Sequence, residues 1–133
     1  IIVDIPTAGE IGGAIAQVAQ QRAQVLVLPS NHIVWQRRFE IIDAAMKHGL
    51  PTMAEDQLMV REGGALITYG RSQVEENRLH AEYIDRILRG AKPRDLPVQQ
   101  PTKFDLVINL KTARALGLTI PKELLLRADE VIQ

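Results

Sequence analysis

An unbroken apolar run, Val25-Leu26-Val27-Leu28, ends at Pro29 and stands between two segments whose apolar residues recur at helical spacing. Consecutive β-branched and leucine residues suit a strand covered on both faces, the usual condition of a parallel sheet. Parallel strands cannot be joined by a tight hairpin, so the flanking helices are the expected crossovers. Upstream, Ile11, Ile15 and Val18 mark a helix reaching to about Arg22, and Thr7-Ala8-Gly9-Glu10 has the Thr-x-x-Glu form of a capping box. Residues 1–5 read as a short strand before it, stopped by Pro6. Downstream the spacing predicts a helix over residues 32–48, with Phe39, Ile42, Ala45 and Met46 on one face; Gly49 and Pro51 close it.

The alternation continues. Residues 51–54 read as a strand, Glu55-Asp56 as a polar turn, Leu58-Met59-Val60 as a brief helical turn, and residues 65–69 as a strand. Ser72-x-x-Glu75 forms a second capping box ahead of a helix bearing Val74, Ala81, Ile84 and Leu88, which ends at Gly90. Pro93, Pro97 and Pro101 hold the next stretch extended, because each removes a donor and biases its predecessor away from helix. Residues 105–108 read as a last strand and 111–116 as a short helix closed by Gly117; Pro121, at a helical first position, starts a final turn through Leu126. Strands alternating with helices predict an α/β fold, a mostly parallel sheet with helices on both faces. Ligands of such folds sit beyond the carboxyl ends of the strands, here the loops after Leu28, Ala54 and Tyr69.

Several kinds of chemistry lack their residues. Lysine plus arginine, 16, equals aspartate plus glutamate, 16, so no basic face argues for nucleic acid. The chain has no cysteine, hence no disulfide, thiolate ligand or thiol nucleophile. His32, His48 and His80 fit no metal-binding spacing, and no cofactor or metal is expected. Gly9-x-x-Gly12-Gly13 lacks the nucleotide-binding spacings and reads as close packing of a helix on a sheet. Ser30 has no nucleophile elbow around it. Arg37-Arg38 reads as a solvated helix face rather than an anion site, and Trp35 as packing against the sheet edge, with stacking on a ligand as the alternative. His32 is a candidate by position, because it follows Asn31 in a ligand-side loop. Tyr69-Gly70 has two readings: an amphipathic ring beside free backbone, with the helix start at Ser72 offering unpaired N–H groups to an anionic ligand group, or a tyrosine covering the sheet edge and a glycine needed for the turn.

Longer stretches carry more. In order they are Leu28-Pro29-Ser30-Asn31, His48-Gly49-Leu50-Pro51, Glu62-Gly63-Gly64-Ala65-Leu66-Ile67-Thr68-Tyr69-Gly70 and Ile87-Leu88-Arg89-Gly90-Ala91-Lys92-Pro93. After these come Pro101-Thr102-Lys103-Phe104-Asp105-Leu106-Val107-Ile108-Asn109-Leu110-Lys111-Thr112-Ala113 and the closing Arg127-Ala128-Asp129-Glu130-Val131-Ile132. In order and spacing this sequence resembles the ABC transporter substrate-binding protein family that includes tryptophan- and tyrosine-type uptake proteins. The resemblance implies a type I periplasmic binding fold, two flavodoxin-like lobes closing on a ligand, of which this chain would be the C-terminal portion. Residues 1–70 would be the ligand-facing lobe. Residues 71–133 would supply a helix, a hinge or return strand and C-terminal helices that complete the lobe and pack on a missing N-terminal lobe.

The implied function is non-catalytic: capture of a small molecule (an amino acid, an aromatic acid or similar) and delivery to an ABC permease, in the periplasm. The opening Ile1-Ile2-Val3-Asp4 carries no leader, so a signal peptide is expected upstream of a fragment. The expected ligand-binding residues are Ser30, Asn31, His32, Glu55, Tyr69 and Gly70. The family often has an Asp-Asn pair where Ser30-Asn31 stands; serine removes a charged partner for a ligand ammonium, and Glu55 or Asp56 could replace it. The apolar face of Val74, Ala81, Ile84 and Leu88 is expected to find a partner, in a homodimer or domain swap if not in the other lobe. The competing readings are a ligand-sensing effector domain of a transcriptional regulator and a small α/β hydrolase.

Overall fold

The computed structural model describes residues 8–133; the expected strand over residues 1–5 and Thr7 of the first capping box lie outside them. Seven helices and five strands follow in the described residues: α1 (Ile11–Gln20), β1 (Leu26–Leu28), α2 (His32–Gln36), α3 (Arg38–Lys47), β2 (Thr52–Ala54), α4 (Gln57–Arg61), β3 (Ile67–Arg71), α5 (Gln73–Leu88), β4 (Phe104–Asn109), α6 (Leu110–Ala115), α7 (Lys122–Leu125) and β5 (Glu130–Ile132). The strands form one sheet in the order β1-β2-β3-β4-β5. β1 with β2, β2 with β3, and β4 with β5 are parallel; β4 runs antiparallel to β3. The α/β fold with a mostly parallel sheet is as the alternation predicts. β5 had no counterpart in that reading: it is three residues long, and partly buried rather than core.

The core lies between one face of the sheet and α1, α3 and α4. Ile11, Ile15 and Val18 of α1, Ile41, Ile42 and Ala45 of α3, and Met59 and Val60 of α4 gather with Leu28, Ala54 and Val107 from the strands. Gly49 ends α3 in the left-handed conformation, φ +67°, which a side chain disfavours. Its N–H reaches the Met46 carbonyl, and Leu50 N–H reaches back to Ala45, turning the buried Leu50 into the core.

Several expectations change. The helix over residues 32–48 is two helices, broken at Arg37 (φ −104°, ψ 14°). The Arg38 guanidinium donates to the Trp35 carbonyl at 3.0 Å and lies over both the Trp35 and Phe39 rings, 4.2 and 4.4 Å from their centroids. Arg38 is therefore no solvated surface charge. Phe39 sits 49% exposed outside the core, and Ile41 takes the place expected of it. Val27 is 59% exposed, so β1 is not covered on both faces; it is the outer strand of the described sheet. Among the described residues nothing lies within 4 Å of a Cβ built at Gly9, Gly12 or Gly13, so close packing between those residues does not account for them. A 3-10 turn, Pro93–Asp95, interrupts the extended connection.

The start of α5 also differs. Ser72 is buried, and its side chain makes no cap hydrogen bond, so Ser72-x-x-Glu75 is not a capping box here. Glu75 and Glu76 occupy the first turn, where they already satisfy the helix's preference for negative charge. Those two carboxylates stand where the sequence suggested an anionic ligand group.

Candidate functional site

The parallel strands β1, β2 and β3 end at one edge of the sheet, and β4 begins there because it runs the other way. A cavity of about 340 Å³ opens at that edge. This is the place where open α/β sheets hold ligands, since the loops leaving the strands diverge there. The volume lies toward the lower end of the range for small-molecule sites.

Each loop brings one group. After β1, Ser30 lines the cavity, and its backbone N–H donates to Glu55 Oε2 at 3.1 Å. After β2, Glu55 enters the cavity and Asp56 caps α4, accepting from Leu58 N–H at 2.8 Å. From β3 come Tyr69, Gly70 and Arg71. Gly70 lies inside the strand, which runs on to Arg71 instead of stopping at Tyr69. Its role is close approach: a Cβ there would collide with the Glu55 carbonyl oxygen. The glycine thus lets the Glu55 loop fold down on β3, which sets where the Glu55 side chain starts.

Tyr69 and Phe104 project from the sheet face opposite the core. Arg71 pairs with Phe104 across the antiparallel ladder, which places Phe104 diagonally beside Tyr69. The rings stack with centroids 5.7 Å apart and planes at 24°. Arg71 forms an ion pair with Glu76 from α5. Beneath, the buried Gln57 donates to Asp105 Oδ2 at 2.8 Å, and Lys103 lies 3.6 Å from the other oxygen. Burial works against a charge on Asp105, but hydrogen bonds from Ser72 and Gln57 and the Lys103 ammonium outweigh it and hold the carboxyl below its ordinary value.

Of the residues expected from the sequence, the structure brings together Ser30, Glu55, Tyr69 and Gly70. Asn31 and His32 are not in the cavity lining. Asn31 is the N-cap of α2, its side chain accepting from Val34 N–H at 2.9 Å, and His32 is the exposed first residue of that helix. Sequence reasoning missed Gln57, Arg71, Gln73, Glu76 and Phe104 as lining residues. Phe104 was detectable in principle, because an antiparallel return strand starts where its neighbour ends. Among the described residues no group of three or more acidic or histidine side chains is placed to hold a metal, and no helix is long and apolar enough to cross a membrane.

Comparison with known proteins agrees with this fold. The family model described as ABC transporter substrate binding protein matches residues 3–132. Similar solved structures include a conserved domain protein from Vibrio cholerae O1 biovar El Tor, at 28% identity and a TM-score of 0.84 over 96% of this chain and 42% of that one. The ABC domain in complex with L-Trp from Streptococcus pneumoniae aligns at 26% identity and a TM-score of 0.83, over 96% of this chain and 44% of that one. A substrate-binding protein with adhesive properties from Clostridium difficile, in its ligand-free, open form, shares the fold at 23% identity and a TM-score of 0.70, over 97% and 42%. The chain spans less than half the length of each. No curated protein matches it.

Proposed function

The chain belongs to the ABC transporter substrate-binding protein family, and from that premise we propose that it forms one wall of the ligand cleft of a solute-binding protein serving an ABC importer. The observation that carries this reading is the cavity at the carboxyl edge of β1, β2 and β3, walled by Ser30, Glu55, Tyr69 and Gly70 and open on one side. A one-sided cavity with an exposed aromatic pair suits a cleft that a second lobe completes. The length of the similar structures leaves room for such a lobe.

In this reading the ends of β1, β2 and β3, with the start of α5 and Phe104 of β4, face the ligand, while the rest of α5 and the C-terminal segments complete the lobe and meet the N-terminal lobe. Val74, Ile84, Ile87 and Leu88, all exposed on α5, form the contact. Closure buries the ligand and creates the surface a permease reads; ligand binding drives it through higher affinity for the closed state. The protein acts by binding, without turnover, in the periplasm or at the cell surface.

The experiment is purification of the full-length protein, followed by mass spectrometry of the small molecules released on denaturation. The identified solute should raise the thermal midpoint, since a ligand at about 100 times its Kd stabilises by about 2.7 kcal/mol. The reading fails if no solute co-purifies and no member of a panel of amino acids, aromatic acids, amines and sugars shifts the midpoint.

A further inference from the structure

Resting on that solute-binding reading, we infer that the ligand of this cleft is an organic cation, an amine carried on a flat apolar body, held by Glu55 and laid on the Tyr69–Phe104 pair. Tyr69 is 57% and Phe104 44% exposed, although each is a large ring projecting from the sheet. Stacked at 5.7 Å and only 24° from parallel, they present a continuous platform at the cavity. Such a surface gains most from a flat apolar partner, and its electron-rich faces also attract a cation.

The charges decide between ligand types. The cavity is lined by three carboxylates, Glu55, Asp56 and Glu76, against one guanidinium, Arg71. Arg71 is engaged by Glu76 and Asp56 by the first turn of α4. Glu55 is different: its contact is the Ser30 amide on Oε2, which orients the carboxylate without neutralising it. That contact also consumes the backbone donor at the end of β1 that would otherwise greet a ligand carboxylate. An anion therefore meets net negative charge with its nearest amide already occupied. On this wall the one cation open to a zwitterion's carboxylate is Arg71, already paired with Glu76, whereas an amine pairs with Glu55 and leaves every existing contact in place. Like charge in a confined cleft repels more strongly than it does on an open surface.

The test uses three ligands that share one ring and differ in charge: tryptamine, L-tryptophan and indole-3-acetate, titrated calorimetrically into the full-length protein. Tryptamine should bind tightest, by about tenfold or more over L-tryptophan and further still over indole-3-acetate. Glu55→Gln should weaken tryptamine by about tenfold, and Phe104→Leu should weaken it also, with thermal midpoints of the ligand-free variants unchanged. Equal or tighter binding of L-tryptophan or indole-3-acetate overturns the inference, as does a Glu55→Gln protein that holds tryptamine undiminished. In both cases the solute-binding reading stands. If none of the three binds, the charge of the co-purifying solute decides: a cation supports the inference and a neutral or anionic solute overturns it. Absence of any solute removes the solute-binding reading itself.

Discussion

Helices α1 and α5 both carry apolar residues at helical spacing, yet they end in opposite surroundings. Ile11, Ile15 and Val18 of α1 are all buried, packed with α3 over the sheet. α5 is longer, 16 residues, and none of them is buried; Val74 is 77% and Leu88 82% exposed. Periodicity tells that a helix has an apolar side, but it is silent on what covers that side. α1 finds its cover because α1 and α3 lie on the same sheet face. α5 instead leaves β3 and returns to β4 through a long proline-bearing connection. It is tied to the rest at its start, through the buried Ser72 and the Arg71–Glu76 pair, and through the Tyr83 hydroxyl, which donates to the Pro97 carbonyl. Along its length, solvent-exposed i,i+4 pairs such as Arg78–Glu82 and Asp85–Arg89 support the helix itself.

The largest effect should come from the α1 side. Ile42 of α3, 2% exposed, belongs to the core cluster that also holds the buried residues of α1. Ile42→Ala is expected to cost about 2–5 kcal/mol, from lost transfer energy plus the cavity left behind. Urea unfolding of the chain should show a lower midpoint with an unchanged slope. A loss below about 1 kcal/mol would mean that the α1–α3 side is packed as loosely as α5, and the contrast between them would go.

A second expectation concerns how α5 is anchored. Asp105 faces Ser72, the residue that precedes α5, along with Gln57 and Lys103. Its folded-state carboxyl titrates below the ordinary value of 3.8. The sign follows: the carboxylate's contribution to stability is fully present above that ordinary value and is lost as pH falls through the lower, folded-state value. Asp105→Asn should remove it, at about 1–3 kcal/mol near neutral pH, because the buried Gln57 loses its charged acceptor. Urea midpoints followed from about pH 6 to about pH 3 should then fall less steeply for the variant than for the parent. Parallel curves would show that Asp105 does not hold the start of α5.

These two regions also show what the sequence made legible. The strands β1 to β4, the helices α1 and α5 and the edge that bears the cavity followed from apolar runs, periodicity and the rule about carboxyl ends of strands. Ser30, Glu55 and Tyr69 came from that rule and reached the cavity. Asn31 and His32 did not, because a local interaction won: the Asn31 side chain caps α2 and turns that segment away. Arg37 broke a helix that periodicity ran straight through, since Arg38 clamping Trp35 and Phe39 is a contact between rings and a cation that spacing does not encode. Gly70 was read as a turn glycine, whereas the constraint is a carbonyl from another strand's loop, which no local pattern shows. Arg71 and Glu76 enter because β3 runs past Tyr69 and α5 starts directly after it, and Phe104 depends on the direction of β4, a topology that the sequence left open.

The smallest effect is expected at Leu88, and it bears most directly on what α5 is for. At 82% exposure, Leu88 contacts little that alanine would lose. In the 133-residue chain Leu88→Ala should therefore change stability by no more than about 0.5 kcal/mol, as surface substitutions do. In the full-length protein the proposed second lobe covers this face, and the same substitution should cost about 2–5 kcal/mol, in the range of a buried leucine. Ile42→Ala serves as the internal standard, because its surroundings are complete within the chain and its cost should be the same in both. A ratio between the two substitutions that shifts from one protein to the other would show that α5 gains its cover from outside these residues. A Leu88→Ala variant as silent in the full-length protein as in the chain would show that this end of α5 stays in water, and the interlobe contact would have to be sought elsewhere.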